Sequence, residues 1–474
     1  MIRKTKIICT IGPASRSPEK IQALIDAGMN VARVNFSHGE YQEHENTFKT
    51  LKAVRDKLNY NLAIMTDTKG PEIRTGNFKD GKVEVKKGQK ILITQEPVLG
   101  NSERFHISCP ELFKGVRVGD YILVDDGKMR FDVVEKYKNN DILTSVHHTG
   151  FLKNHKSCNC PGAKIKQVFL SEKDKKDILF SIEHGADLIA LSFVRSKQDI
   201  LAVKDLVKNT SNPNIPLIAK IENEEGYQNL DEILQEAAGI LVARGDLGVE
   251  VSFPLVPIYQ KKMIQRANFF GKPVITATHM LESMISNPRP TRAEASDVAN
   301  AILDGSDAIM LSGETAVGEF GVEAVQTMVQ IATEIEQIFP YQQNLENLIP
   351  SGEKTINDSI GVAAAQISIS LPSVEAIVAF TETGGTARRI CKFRPQVPII
   401  ALTDNFKTAC ELALNFGVYP RVVNHVNDFL KYDAKAIDGA KAFGLKKGAT
   451  IILTSGWAQT HGRTNTLRII DVTD

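Results

Sequence analysis

Pro216-Leu217-Ile218-Ala219-Lys220-Ile221-Glu222 is the stretch on which the fold turns. A short apolar run leads into a lysine and a glutamate two positions apart. Such a run reads as a strand covered on both faces, and its polar end marks where the chain leaves the core. The same pattern recurs downstream at Gly239–Ala243, Pro273–Thr278 and Ala308–Leu311, and upstream at Leu188–Ser192, Leu62–Asp67, Val31–Asn35 and Lys6–Thr10, with helical segments between. Most successive starts lie about 25–35 residues apart, the length of one strand-helix unit, whereas the interval from Leu62 to Leu188 is about 100 residues too long. Eight units with one interruption predict a (β/α)8 TIM barrel carrying an insertion after its third strand. A single doubly wound sheet is the weaker alternative, because the pattern restarts only after eight units.

The insertion has a different texture. Lys82–Lys86, Lys90–Thr94, Tyr121–Val124 and Phe131–Lys136 are short and β-rich, separated by Gly-Asp, Asp-Gly and Asn-Asn turns, which predicts a small all-β lid. Beyond Pro340, a helical segment (Thr355–Ile369) and apolar runs at Ala376–Phe380, Ile399–Thr403 and Thr450–Thr454 predict a C-terminal α/β domain. The expected division is 1–70 and 166–340 for the barrel, 71–165 for the lid and 341–474 for a C-terminal α/β regulatory domain.

Composition narrows the function. Lys plus Arg number 57 against 56 Asp plus Glu, a net charge of +1, which gives no footing for a nucleic-acid partner. The N-terminus does not read as a signal peptide, and no run approaches the roughly 18 apolar residues of a membrane span, so a soluble, cytoplasmic protein is expected. The six cysteines are expected to be reduced, since Cys158-Asn159-Cys160 has no second ligand pair at zinc spacing.

In a barrel of this kind the chemistry sits at the C-terminal strand ends. Those positions hold Arg33, Asn35 and Ser37; Asp67, Thr68 and Lys69; Lys220 and Glu222; Arg244, Gly245 and Asp246; Thr278; and Ser312 and Glu314. Packing alone does not require ionisable or hydroxyl groups at nearly every strand end. Carboxylates that can hold a divalent cation, beside Lys and Arg that can neutralise phosphate oxygens, are the parts of phosphoryl transfer. Lys220 and Glu222 share one side of their strand by its period of two, although a solvated charge pair is the bland alternative. Ala243-Arg244-Gly245-Asp246-Leu247-Gly248 reads as a Gly-bracketed turn able to cradle an anion while Asp246 takes a metal. Gly-Asp turns are common, so this signal alone is moderate. Asn35-Phe36-Ser37-His38-Gly39 with Asp67 and Thr68 offers hard oxygen ligands for an alkali or alkaline-earth ion, and alone is weak.

These strings together resemble the pyruvate kinase family. The matching stretches are Asn30–Gly39 (NVARVNFSHG), Asp67–Gly76 (DTKGPEIRTG), Lys220–Gly226 (KIENEEG), Ala243–Gly248 (ARGDLG), Thr276–Met284 (TATHMLESM), Asn287–Ala295 (NPRPTRAEA), Met310–Thr315 (MLSGET) and Ser455–Arg468 (SGWAQTHGRTNTLR). The resemblance implies phosphoryl transfer from phosphoenolpyruvate to ADP, giving pyruvate and ATP. By position it makes Lys220 the cation that stabilises the moving phosphoryl group, with Arg33 beside the substrate phosphate. Gly245, Asp246 and Thr278 hold the substrate carboxylate, and Glu222 and Asp246 ligate Mg2+ (or Mn2+). Asn35, Ser37, Asp67 and Thr68 form a K+ site, and Asn35, His38, Arg74 and Lys156 grip the nucleotide. Thr278, Ser312 and Glu314 support the proton relay that turns the enolate into pyruvate. Glu72, after the Gly-Pro, matches K+-dependent members. A homotetramer is implied by resemblance alone.

The resemblance also implies an effector site at Thr381, Thr383, Gly384, Gly385 and Thr386, closed by a loop containing Trp457 and Arg463. An unliganded turn kept for packing is its bland alternative. Fructose 1,6-bisphosphate, glucose 6-phosphate, ribose 5-phosphate and AMP stay open as activators. Several positions depart from the family pattern: His279 replaces a common Gln, Ile165-Lys166-Gln167-Val168 lacks the usual Leu-Pro, and Ser157 and Cys160 replace Gly and Leu. Two rival functions are a barrel lyase or aldolase using Lys220 as a Schiff base, and a sensor that has lost turnover.

Overall fold

The computed structural model describes residues 2–163, 165, 167–351, 355–425, 431–456 and 464–473. Eight parallel strands close into a barrel in the order one, eight, seven, six, five, four, three, two. They are Lys6–Thr10, Val31–Asn35, Ala63–Asp67, Leu188–Leu191, Leu217–Ile221, Gly239–Ala243, Val274–Ala277 and Ala308–Leu311, each within one residue of its expected bounds. Closure is made by strands one and eight, with Lys6 opposite Ala308 and Cys9 opposite Leu311. Every residue of strands one, three, five and six is buried, which is why the sequence shows apolar runs there rather than alternation.

The insertion carries more strands than its sequence pattern suggested. A six-stranded sheet and a two-stranded pair lie between barrel strands three and four, around a core that includes Phe105, Phe113 and Phe131. Arg104–His106, Ile142–Val146, Gly150–Lys153 and the two-residue Cys158–Asn159 went unread, as did a short helix at Pro110–Gly115. The Asn159 amide donates to Glu250 Oε1 at 2.6 Å, tying the insertion's exit to the barrel. Among the described residues the C-terminal α/β domain has five strands, including the expected Ile399–Thr403. Its last strand, Thr466–Asp471, is antiparallel to its neighbour Thr450–Ser455.

The C-terminal domain packs against the barrel's N-terminal end. Cys410, Ala413 and Leu414 share one core with barrel residues Ile8, Val31 and Ile218. All six cysteines are buried and free. Among the described residues no helix is long and apolar enough to cross a membrane.

Candidate active site

The C-terminal ends of strands two, three, four and five converge on one buried ionic cluster. Arg33 Nε donates to Asp67 Oδ2 at 2.7 Å, and its Nη1 donates to Thr10 Oγ1 at 3.0 Å. Lys220 Nζ lies 3.0 Å from Asp67 Oδ1 and 2.9 Å from Glu222 Oε1, and donates to Ser192 Oγ at 2.6 Å. Asp67 and Glu222 are essentially sealed from solvent, at 0% and 1% exposure, while Lys220 keeps 9%. The period-two expectation for Lys220 and Glu222 therefore holds, and the solvated-pair alternative does not.

The electrostatics follow from burial and pairing. Burial opposes ionisation of Asp67, but Lys220 and Arg33 outweigh it and hold the carboxyl below its usual range. Burial likewise opposes the Lys220 charge, yet Asp67 and Glu222 outweigh it, so the ammonium stays protonated well past its ordinary range. For Glu222, burial is the largest effect and pushes the carboxyl up, with the charges of Asp246 and Asp67 adding to it against Lys220. Two cations, Arg33 and Lys220, thus meet two buried carboxylates, Asp67 and Glu222, and the exposed Asp246 adds a third negative charge at the cluster's edge. That surplus of negative charge fits a divalent cation, which takes one or two carboxylates and completes its shell with water and substrate oxygens. Among the described residues no group of three or more His, Cys, Asp or Glu is disposed to hold a metal by itself.

Asn35, at the end of strand two, pairs in register with Asp67, and Ser37 and Thr68 lie on the loops that follow these strands. Ser37 N donates to Asn35 Oδ1 at 3.1 Å, and the Thr68 carbonyl accepts from Ser192 Oγ at 2.6 Å. These hard oxygens around an ionised carboxylate fit a monovalent cation. Glu72 is engaged by Arg74 (Nε to Oε2, 2.9 Å; Nη2 to Oε1, 2.9 Å) and by Lys69 at 3.5 Å. Lys156 Nζ is 3.0 Å from Asp125 Oδ1, and the His38 backbone engages the His44 side chain. Arg74 and Lys156 are thus each paired to a carboxylate, Glu72 and Asp125.

Across the mouth, Gly245 N donates to Thr278 Oγ1 at 2.8 Å, and Thr278 Oγ1 donates to the Ala277 carbonyl at 2.6 Å. Thr278 and His279 both adopt positive φ, 67° and 52°, a costly conformation for non-glycine residues. Arg244 clamps this turn: Nη2 donates to Thr278 O at 2.6 Å and Nε to Ala277 O at 3.2 Å, while Nη1 pairs with Asp297 at 2.7 Å. Where Ala243–Gly248 reads from sequence as a Gly-bracketed turn, the chain instead forms a short helix, Arg244–Glu250, with Asp246 in its first turn. Two glycines suggested a turn, but Arg244's tertiary anchors and the Gly245 contact set the helix's start. Glu314 is buried; Oε1 accepts from Leu281 N at 3.1 Å and Oε2 from Ser312 N at 2.8 Å, and burial raises its carboxyl.

In the C-terminal domain the Thr381–Thr386 turn opens the helix Gly385–Lys392, as the glycines suggested. Gly384 has φ 83°, and an added Cβ would meet Arg388 Nη1 at 2.8 Å. Thr386 Oγ1 is 2.8 Å from Thr464 Oγ1. Trp457 and Arg463 lie outside the described residues, as does Lys166 of the lid exit.

The sequence reading missed strand four's contribution. Ser192 bridges Lys220 and Thr68, and Phe193 N donates to Glu222 Oε2 at 2.6 Å. The polar end of Leu188–Ser192 was the available signal. Asp125 and Asp297 were invisible because their partners are distant in sequence.

The family model described as pyruvate kinase, barrel domain matches residues 2–325, and that described as pyruvate kinase, alpha/beta domain matches residues 358–470. A pyruvate kinase of Geobacillus stearothermophilus is 47% identical over 478 aligned residues, covering 100% of this chain and 81% of that protein. One from Clostridium acetobutylicum is 42% identical, covering 99% of both. A crystal structure of a pyruvate kinase from Cryptosporidium parvum superposes with a TM-score of 0.94 at 38% identity, covering 99% of this chain and 96% of that one.

Proposed function

The chain belongs to the pyruvate kinase family, and from that premise we propose that Lys220 is the group that carries the phosphoryl unit through transfer. The protein is a phosphotransferase that passes the phosphoryl group of phosphoenolpyruvate to ADP, leaving pyruvate and ATP. The observation that supports Lys220 is its buried ammonium, held between Asp67, Glu222 and Ser192 at the barrel mouth.

Arg33 and Lys220 receive the substrate phosphate, and their positive charges offset the charge that spreads over its equatorial oxygens. The substrate carboxylate takes the Gly245 N–H from Thr278, beside Asp246. Asn35, His38, Arg74 and Lys156 draw in the nucleotide phosphates, Arg74 leaving Glu72 and Lys156 leaving Asp125. ADP attacks phosphorus in line as the enolate oxygen departs. The enolate then takes a proton at carbon through a water relay supported by Thr278, Ser312 and Glu314. Glu222 and Asp246 would hold Mg2+ (or Mn2+), and Asn35, Ser37, Asp67 and Thr68 would hold K+. When bound, these ions add charge neutralisation at the phosphoryl oxygens. Closure of the inserted unit, residues 71–165, over the barrel of 1–70 and 166–340 excludes competing water.

Thr381, Thr383, Gly384, Gly385 and Thr386, with Trp457 and Arg463, form the proposed activator site in 341–474, for a sugar phosphate or AMP. The family resemblance supports a cytoplasmic homotetramer. Lys220→Arg tests the central role, since a planar guanidinium cannot replace a compact ammonium. Pyruvate formation read through lactate dehydrogenase should fall at least about a hundredfold. Parental turnover, or covalent trapping of pyruvate on Lys220 by borohydride, would contradict it.

A further inference from the structure

Lys220 already has a partner for each of its hydrogens. An ammonium carries three donors and no acceptor, and here they meet Asp67 Oδ1 (3.0 Å), Glu222 Oε1 (2.9 Å) and Ser192 Oγ (2.6 Å). To grip a phosphoryl oxygen, the ammonium must release one of them. The two carboxylates are charge-assisted partners, whereas the serine is neutral and costs least to leave.

Ser192 is held for that purpose. It is 2% exposed, and its single hydroxyl hydrogen points to the Thr68 carbonyl at 2.6 Å, with Asp67 Oδ1 farther away at 3.2 Å. Its lone pairs are therefore left to face Lys220. Its backbone N–H donates to Thr68 Oγ1 at 3.1 Å. A Cβ on Gly70 would fall 2.8 Å from the Ser192 Cβ and 2.9 Å from the Phe193 ring, so nothing larger than glycine fits against this turn. Phe193 has φ 57°, unusual for an aromatic residue, and its N–H is pinned to Glu222 Oε2 at 2.6 Å. The end of strand four thus fixes both the neutral partner of Lys220 and the orientation of Glu222.

We propose that Ser192 is a positioning residue: its hydroxyl holds the third N–H of Lys220 clear of the two carboxylates, in register for the phosphoryl oxygen that displaces it. This rests on the reading of Lys220 given above. Without that hydroxyl the ammonium settles between Asp67 and Glu222, and the approach to phosphorus is lost.

The test separates the two halves of the reaction. Ser192→Ala and Lys220→Met are compared with the parent in ATP-forming transfer and in exchange of pyruvate methyl protons with D2O, followed by NMR. Exchange belongs to the Thr278, Ser312 and Glu314 side and does not need the Ser192 contact. Ser192→Ala should lower kcat for transfer about 10- to 100-fold, with KM for phosphoenolpyruvate within about threefold of the parent. Its pyruvate exchange should stay at the parental rate. Equal losses in transfer and exchange would mark a merely structural role and overturn the proposal. So would parental transfer in Ser192→Ala while Lys220→Met is inactive. Parental transfer in Lys220→Met would overturn the underlying reading itself.

Discussion

The barrel buries charge at both ends, and the two ends differ in balance. At the base, where the C-terminal domain docks, each carboxylate meets its own cation. Asp307 accepts from Arg394 through both oxygens at 2.8 Å, with backbone N–H groups of Phe416 and Val274 completing the set. Asp187 pairs with Arg55 at 3.0 Å and accepts from Ile64 N at 2.8 Å. At the mouth, buried Asp67 and Glu222 share Lys220 and Arg33 in one network, the exposed Asp246 adds negative charge at its edge, and burial pushes Glu222 up. A closed ion pair holds two domains together; a cluster with an exposed carboxylate at its edge is open to a ligand. Buried charge alone therefore does not mark an active site, whereas a shared buried cluster with a further carboxylate open at the strand ends does.

Removing charge at either end should break the two regions in different ways. The largest effect is expected at the mouth. Glu222→Gln should lower turnover about a thousandfold or more and weaken Mg2+ binding measured by calorimetry, with the thermal midpoint unchanged or raised. At the base, Arg394→Met leaves Asp307 buried without its cation. It should cost about 3–5 kcal/mol, read from the urea and thermal midpoints, with activity per folded molecule retained. Loss of activity without loss of stability there would erase the distinction.

Smaller effects sharpen the contrast. Glu72→Lys changes charge beside the proposed monovalent site, and the gain from K+ over a large organic cation, expected to exceed about tenfold in the parent, should shrink toward unity. An effect graded with pH concerns Lys6 at the base, whose amine donates to Val418 O at 2.6 Å and which burial, the largest cause, lowers from 10.5 to about 7. Because its folded value lies below its unfolded one, the unfolded chain binds more protons between those limits. Stability should therefore rise with pH from about 7 to 10.5, by at most about 1.4 kcal/mol per pH unit from this group. Lys6→Met should remove that contribution from the pH dependence of the urea midpoint.

Much of this was legible in the residue order, for physical reasons. Strands buried on both faces must be continuous apolar runs, so all eight barrel strands could be found, and their polar ends exposed Arg33, Asp67, Lys220, Glu222 and Asp246. The inserted unit was harder, because half-exposed strands such as Gly150–Lys153 bury a single residue and short strands such as Arg104–His106 carry little pattern at all. Ser192 hid inside an apolar run whose end looked like packing. The Arg244–Glu250 helix hid behind two glycines, because tertiary hydrogen bonds overrode local preference. Pairings such as Arg244 with Asp297 exist only once the chain has closed.

Lys220→Met, assayed for ATP output beside its thermal unfolding curve, probes the mouth most directly. The ion cluster described here predicts that output falls by at least about three powers of ten while the folded protein persists. A folded Lys220→Met protein that makes ATP at the parental rate would contradict it.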